Sequence, residues 1–176
     1  MRSNGFPGAG AAVKVAPLAS VTPRREAFVA TTPYEPTHPK ALAIYCSDGR
    51  FTDAVEELGR HLGHARLDTL TMPGGPGLLD TLHARLTDLE AITRSATFLI
   101  RGHAIEHAVL VAHAGCGYYR QRFGTQGADV IEGIQHAHLR LAGRALAGAH
   151  AGLDVHLFFA RPSDGRVRFE PLGPVT

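Results

Sequence analysis

The chain has 176 residues, of which 44% are hydrophobic and 19% charged, proportions that favour one globular domain over a disordered or fibrous chain. The net charge is only +2 and no run of basic residues occurs, so we expect no nucleic-acid partner. No apolar stretch is as long as the roughly 18 residues of a transmembrane helix, so we expect no membrane partner. The 2 cysteines are too few for a disulfide framework, which favours a reducing compartment and a cytoplasmic location.

The N-terminal part of the chain differs in composition from the rest. Residues 1–39 are rich in glycine, alanine and proline, and proline recurs throughout. Because proline fixes φ and removes a backbone donor, this composition predicts an extended arm. We therefore divide the chain into an arm, 1–39, and a folded domain, 40–176.

Five segments of the folded domain have strand patterns. Short apolar runs predict buried strands at 41–45 and 108–112, and a third strand is predicted at 65–71. Near the end of the chain, 153–161 and 166–172 flank a Ser-Asp-Gly turn and predict a hairpin.

Helical patterns lie between these strands. Apolar residues at helical spacing predict a helix that begins with Thr52 as its N-cap and stops at Gly63. A capping box over 87–90 predicts a helix that runs to residue 102, and a long helix is predicted over 128–150. The alternation of strands and helices predicts an α/β fold: a mostly parallel central sheet of about four strands, an antiparallel edge strand and flanking helices.

A glycine-rich segment follows the third strand pattern. Residues 72–77 read Met-Pro-Gly-Gly-Pro-Gly and lack the Gly-Lys-Ser/Thr ending of a phosphate-binding P-loop. The glycines allow a close backbone approach to a site, with N–H groups as donors, although a plain turn is an equal alternative. A short helix is predicted after it, at 78–86.

The residues with the clearest chemistry follow the two most apolar strands. Cys46 directly follows the strand at 41–45, and His113 and Cys116 follow the strand at 108–112. The carboxyl ends of parallel strands meet at one edge of a sheet, where α/β folds place their sites. Two thiolates and an imidazole form a ligand set that Zn²⁺ accepts, with a fourth position left for water or substrate.

Asp48 and Arg50 follow Cys46 closely. An arginine beside an aspartate keeps the carboxylate ionised and oriented. Asp48 can then accept a proton from a water bound to the metal, or occupy the fourth ligand position itself.

These residues form two motifs that resemble those of the β-class carbonic anhydrases. Residues 46–50, Cys-Ser-Asp-Gly-Arg, resemble the family motif C-x-D-x-R, and residues 113–117, His-Ala-Gly-Cys-Gly, resemble H-x-x-C-G. The resemblance covers roughly residues 40 to 172. It implies a β-carbonic anhydrase-like fold and zinc-dependent, reversible hydration of carbon dioxide to bicarbonate.

The same resemblance implies a homodimer or higher homo-oligomer with the site near the subunit interface. The arm at 1–39 would then wrap a partner subunit, and a loosely packed tail is the alternative. In some members of the family the aspartate at the position of Asp48 ligates zinc and closes the site.

One position departs from the family. Where the family usually has Arg-Asn, this chain has Met72 and Pro73, followed by Gly74 and Gly75. A positive charge and an amide are therefore missing beside the predicted substrate pocket, for which Gly74, Gly75 and Gly117 are the candidates. The alternatives are a zinc hydrolase of another small linear substrate, carbonyl sulfide or carbon disulfide, and a catalytically inactive zinc-binding homologue.

Four other interpretations of the same residues are possible. A cytidine-deaminase-like zinc site needs a Pro-Cys-x-x-Cys pair, which the chain lacks. A nucleophilic pair of Cys46 and His113 leaves Cys116 without a role. A structural zinc site usually has four protein ligands and would need Asp48 as the fourth. The cysteines can also be simple buried residues at strand ends.

Several aromatic and imidazole side chains are predicted to have no chemical role. Tyr118 and Tyr119 are expected to pack rather than to line the pocket. His136 and His138 lie two residues apart and so cannot share a helix face, and both are predicted on the surface.

Overall fold

The structure is a computed structural model that describes residues 27–82 and 84–173. The chain divides into two units, residues 1–36 and 37–176. In the first unit, residues 27–36 form no helix or strand and their side chains are exposed. Most of the predicted arm, 1–26, lies outside the described residues, so the role of the arm stays a prediction.

The second unit is a five-stranded α/β domain. Its strands are β1 (Ala41–Cys46), β2 (Asp68–Met72), β3 (His107–His113), β4 (Asp154–Ser163) and β5 (Arg166–Pro171). Its helices are α1 (Thr52–His61), α2 (Leu86–Gly102), α3 (Gly117–Phe123) and α4 (Ala128–Ala149), with 3₁₀ turns at Gly49–Phe51 and Gly75–Leu79.

The strands form one sheet in the order β2-β1-β3-β4-β5. The first four pair in parallel, and β5 pairs antiparallel with β4 at one edge. This topology confirms the predicted fold class. The central strands β1 and β3 are almost completely buried because helices cover both faces, which explains their uninterrupted apolar sequences.

The two faces of the sheet carry separate apolar clusters. On one face, α2 and α4 pack through residues such as Ile92 and Leu139 against Ile44 and Leu110. On the other face, α1 packs through Val55 and its neighbours. In the described part of the chain no helix is both long enough and apolar enough to cross a bilayer.

Three local expectations differ from the structure. Thr52 is the first residue of α1 and not its N-cap. A 3₁₀ turn precedes the helix, and the N-cap of that turn is Asp48, whose carboxylate accepts a hydrogen bond from the Arg50 N–H at 3.2 Å. Helix α2 begins one residue before Thr87, and its N-cap, Arg85, makes no side-chain bond, so the predicted capping box does not form. The predicted helix at 78–86 is replaced by the 3₁₀ turn Gly75–Leu79, whose proline suits a first turn but not a helix interior.

Candidate metal centre

The parallel pairing of β1 with β3 brings the three predicted ligands together. Cys46 is the last residue of β1, His113 is the last residue of β3, and Cys116 is the N-cap of α3. Their ligand atoms all lie within 4.8 Å of one another, and all three residues are buried. Gly115, with φ of 68°, makes the sharp turn that returns Cys116 towards His113.

The distances between the ligand atoms fit a tetrahedral metal. The two sulfurs are 3.9 Å apart. Zinc–sulfur bonds of about 2.3 Å at the tetrahedral angle separate two sulfurs by about 3.8 Å. The cysteines are therefore spaced as a shared zinc ion requires, without a change in the backbone.

The imidazole of His113 is oriented as a ligand. Its Nδ1 lies 3.0 Å from the carbonyl oxygen of Ala114, which can only accept, so Nδ1 carries the proton. Its Nε2 is buried without a hydrogen-bond partner in the described part of the chain, and in this tautomer it carries the free lone pair. The ring packs on Phe51 at 4.3 Å between centroids. A metal ion would satisfy the buried nitrogen, which is the strongest single indication that the site holds one.

The two thiols share one proton. A hydrogen bond from Cys116 lowers the pKa of Cys46 to about 4, against the effect of burial, and a hydrogen bond from the backbone of Gly74 lowers it further. The same hydrogen bond, together with burial, raises the pKa of Cys116. Cys46 is therefore a thiolate at neutral pH, and binding of Zn²⁺ to both sulfurs would displace the remaining proton.

Asp48 faces Arg50 beside this centre. Arg50 Nε donates to Asp48 Oδ1 at 2.9 Å, and Nη2 donates to Oδ2, which makes the pair bidentate. This hydrogen bonding lowers the pKa of Asp48 to about 2, so the carboxylate is ionised at neutral pH. Asp48 does not belong to the converging group of ligand atoms, and its role as a fourth ligand stays a prediction.

The glycine-rich segment approaches the centre closely. A Cβ on Gly75, whose φ is +55°, would lie 2.6 Å from the backbone nitrogen of Cys46, and a Cβ on Gly74 would lie 2.6 Å from the Tyr118 ring. The backbone of Gly74 also hydrogen-bonds Cys46. These contacts favour a supporting role over a plain turn. A Cβ on Gly117 would meet nothing within 4 Å, so close packing does not explain why this position is a glycine.

The sequence analysis did not predict a row of three buried polar side chains next to Cys116. Tyr119 packs with the two cysteines, and its hydroxyl lies 3.0 Å from Nδ1 of His138. Nε2 of His138 lies 3.6 Å from the fully buried carboxylate of Asp80. His138 is thus buried, and its predicted surface position is wrong. His138 lies three or four residues from Gln135 and Ala142 and next to Leu139 on the buried face of α4, and this helical spacing is the sequence pattern that indicates its burial.

Replacement of Gly75 by alanine tests the close approach. We expect Gly75→Ala to lower the free energy of unfolding by more than Gly63→Ala, because both residues have a left-handed φ but only Gly75 has backbone atoms within 3 Å of an added Cβ. Urea denaturation of both variants measures the difference. Equal losses would show that the clash is relieved easily and that the segment does not support Cys46.

Comparison of the sequence with known proteins does not assign the chain to a family. No protein-family model matches it, and a search of curated proteins returns no significant match. Its fold, in contrast, matches solved structures. A β-carbonic anhydrase, isoform I, of the protozoan Trichomonas vaginalis superposes with a TM-score of 0.51 and 14% identity, over 78% of this chain and 86% of that one. The β-carbonic anhydrase CcaA superposes with a TM-score of 0.50 and 17% identity, over 77% and 78% of the two chains. At these identities the likeness concerns the architecture: this chain has the fold of the β-carbonic anhydrases.

Proposed function

We propose that this chain is a zinc-dependent enzyme that reversibly hydrates carbon dioxide to bicarbonate. The observation that carries the proposal is the convergence of Cys46, His113 and Cys116, with one orphaned imidazole nitrogen, beside an ionised Asp48 held by Arg50. The β-carbonic anhydrase fold supports the same reaction. We include cytoplasmic location in the proposal because thiol ligands persist in a reducing compartment.

Cys46, His113 and Cys116 are the residues that would hold the metal. When bound there, Zn²⁺ would act as a Lewis acid that lowers the pKa of a water towards neutrality. Three protein ligands are the usual number for a catalytic zinc site, since one position must stay open. The hydrogen bond from His113 Nδ1 to the Ala114 carbonyl, and that from Gln135 to the His113 carbonyl at 2.9 Å, fix the strand end that carries the imidazole.

Asp48 would accept a hydrogen bond from the attacking water. Its carboxylate is ionised at all pH values well above 2, because Arg50 binds both oxygens. Oδ1 accepts hydrogen bonds from both Nε and the backbone N–H of Arg50, whereas Oδ2 accepts one from Nη2 and keeps a lone pair. Through Oδ2 the carboxylate can still accept a hydrogen bond from the water and orient it. The Asp48 side chain is only 20% exposed whereas that of Arg50 is 73% exposed, so Arg50 screens the carboxylate from the solvent side.

The segment beside the centre favours a second candidate substrate class. Met72, the register partner of Cys46, lies where the family usually has arginine, so a positive charge is missing there. An apolar neighbour suits a small linear molecule such as carbonyl sulfide or carbon disulfide. Hydrolysis of such a molecule by the same residues is the second candidate, and a zinc-binding homologue without activity is the third.

Loss of one thiolate tests the ligand set. We expect the purified chain to retain about one tightly bound zinc, and Cys116→Ser to lose it, because a hydroxyl is a poor zinc ligand. Metal analysis after dialysis against a weak chelator measures both. His61→Asn, which removes an exposed histidine of α1, is the matched control and should keep the zinc. Retention of zinc by Cys116→Ser would disprove the ligand set.

Loss of the carboxylate tests catalysis separately. We expect Asp48→Asn to keep zinc but to lower the turnover number for carbon dioxide hydration by at least about 10²-fold. Stopped-flow measurement between pH 6 and 9 should give profiles of the same shape for both proteins, because the pKa of Asp48 lies near 2 and the residue does not titrate in this range. Asp129→Asn, in the first turn of α4, is the control.

Three results would separate the candidate functions. Unchanged hydration by Asp48→Asn would contradict the role of Asp48. Zinc-loaded wild-type chain that hydrolyses carbonyl sulfide without hydrating carbon dioxide would establish the second candidate. Zinc binding without turnover of either substrate would establish the inactive homologue.

We also propose a homodimer or higher homo-oligomer. Next to Arg50, an open cavity of about 990 Å³ lies between α1 and β5, and its lining includes the half-buried apolar side chains Phe158, Val167 and Phe169. Strand β5 has an unpaired edge within the described sheet, a feature that proteins usually cover. Sedimentation velocity should therefore give at least twice the mass of one chain at micromolar concentration, and a monomer there would contradict this part of the proposal.

A further inference from the structure

A second group of metal-binding side chains lies at the opposite end of the sheet. His107 begins β3, and Asp154 and His156 lie at the start of β4. One ligand atom of each lies within 4.8 Å of the others. Neither of the two sequence motifs contains any of these residues.

The strand register creates this group. His107 pairs with Asp154, and His156 is two residues further along β4, so all three side chains project from one face of the sheet. His107 and His113 lie on the same face of β3, six residues apart. At about 3.3 Å per residue, roughly 20 Å separates this group from the candidate metal centre. The two sites therefore cannot share an ion.

The distances within the group suit a first-row metal. Nε2 of His156 lies 2.9 Å from Oδ2 of Asp154, and Nδ1 of His107 lies 3.4 Å from the same carboxylate oxygen. Metal–ligand bonds of about 2.0 Å to nitrogen and oxygen place tetrahedral neighbours about 3.3 Å apart. Small rotations of three side chains at strand starts would bring all three atoms to this spacing.

One imidazole nitrogen of the group has no hydrogen bond. Nδ1 of His107 is buried and forms no hydrogen bond in the described part of the chain, although it lies 3.4 Å from Asp154 Oδ2 and the side chain as a whole is 35% exposed. The side chains of His156 and Asp154 are 36% and 58% exposed, so an ion can reach the group from solvent. The ring of His64 packs against that of His107 at 4.8 Å between centroids.

We propose that His107, Asp154 and His156 bind a divalent transition-metal ion, with Zn²⁺ as the ion to test, at a second site that joins the starts of β3 and β4. Two imidazoles and one carboxylate suit zinc, iron or nickel and do not suit magnesium or calcium, which prefer oxygen ligands alone. Three protein ligands leave the remaining positions to water. The site does not depend on the proposed function, since it shares no residue with the candidate metal centre.

Zinc stoichiometry in equilibrium dialysis tests the second site. At saturating zinc we expect the wild-type chain and the control His61→Asn to bind two ions per chain, and His156→Asn to bind one. Asp154→Asn removes the negative charge of an exposed side chain, and it should also lose the weaker ion. Cys116→Ser should lose the tight ion and keep the weaker one, so failure of the proposed function and failure of this proposal give different results.

Two outcomes would overturn the second site. A wild-type chain that binds a single ion at saturation has no such site. Two ions retained by both His156→Asn and Asp154→Asn would show that the second ion binds elsewhere. A thermal melt gives an independent readout: zinc added beyond the first equivalent should raise the Tm of the wild type and not that of Asp154→Asn, because the ion binds only where β3 and β4 are paired.

Discussion

The parallel pairing of β1 with β3 at the centre of the sheet is the constraint on which the rest of the structure depends. Seventy residues separate Cys46 from Cys116 along the chain, and their sulfurs are 3.9 Å apart because both strands end at one edge. Burial of both strands beneath α1, α2 and α4 holds this register, since a shift by one residue would exchange the side chains that pack in the two apolar clusters. The apolar core thus positions the ligands although none of its residues takes part in the chemistry.

Close approach of the backbone is the second requirement. Gly74 and Gly75 bring a loop against the end of β1, and one of their N–H groups reaches the Cys46 sulfur. Hydrogen bonds to a thiolate favour its charged form, which is the form that binds a metal. The loop keeps this function although Met72 and Pro73 replace the residues that the resembling family has there. Under the proposed function, support of the metal and recognition of the substrate would therefore depend on different residues of one segment.

The sheet, and the convergence of Cys46, His113 and Cys116 at its edge, could be predicted from the sequence because both depend on strong local patterns. Two apolar runs, each followed by a glycine-containing motif, predict the strands and the side chains at their ends. The start of α1 was less predictable. The capping side chain is that of Asp48 and not that of Thr52, because a 3₁₀ turn precedes the helix and the Asp48 carboxylate accepts the Arg50 N–H of that turn. The burial of His138 and the group around His107 were also missed. They depend on which face α4 presents and on how β3 aligns with β4, and a single sequence carries little information on either.

X-ray absorption at the zinc edge tests the central assignment most directly. The sample is the 176-residue chain after dialysis, so that only the tightly bound ion remains. Ligation by Cys46, Cys116 and His113 predicts two sulfur scatterers at about 2.3 Å and nitrogen or oxygen scatterers at about 2.0–2.1 Å. A first shell that contains only nitrogen and oxygen would contradict the assignment, because both cysteine sulfurs of the chain belong to the proposed ligand set.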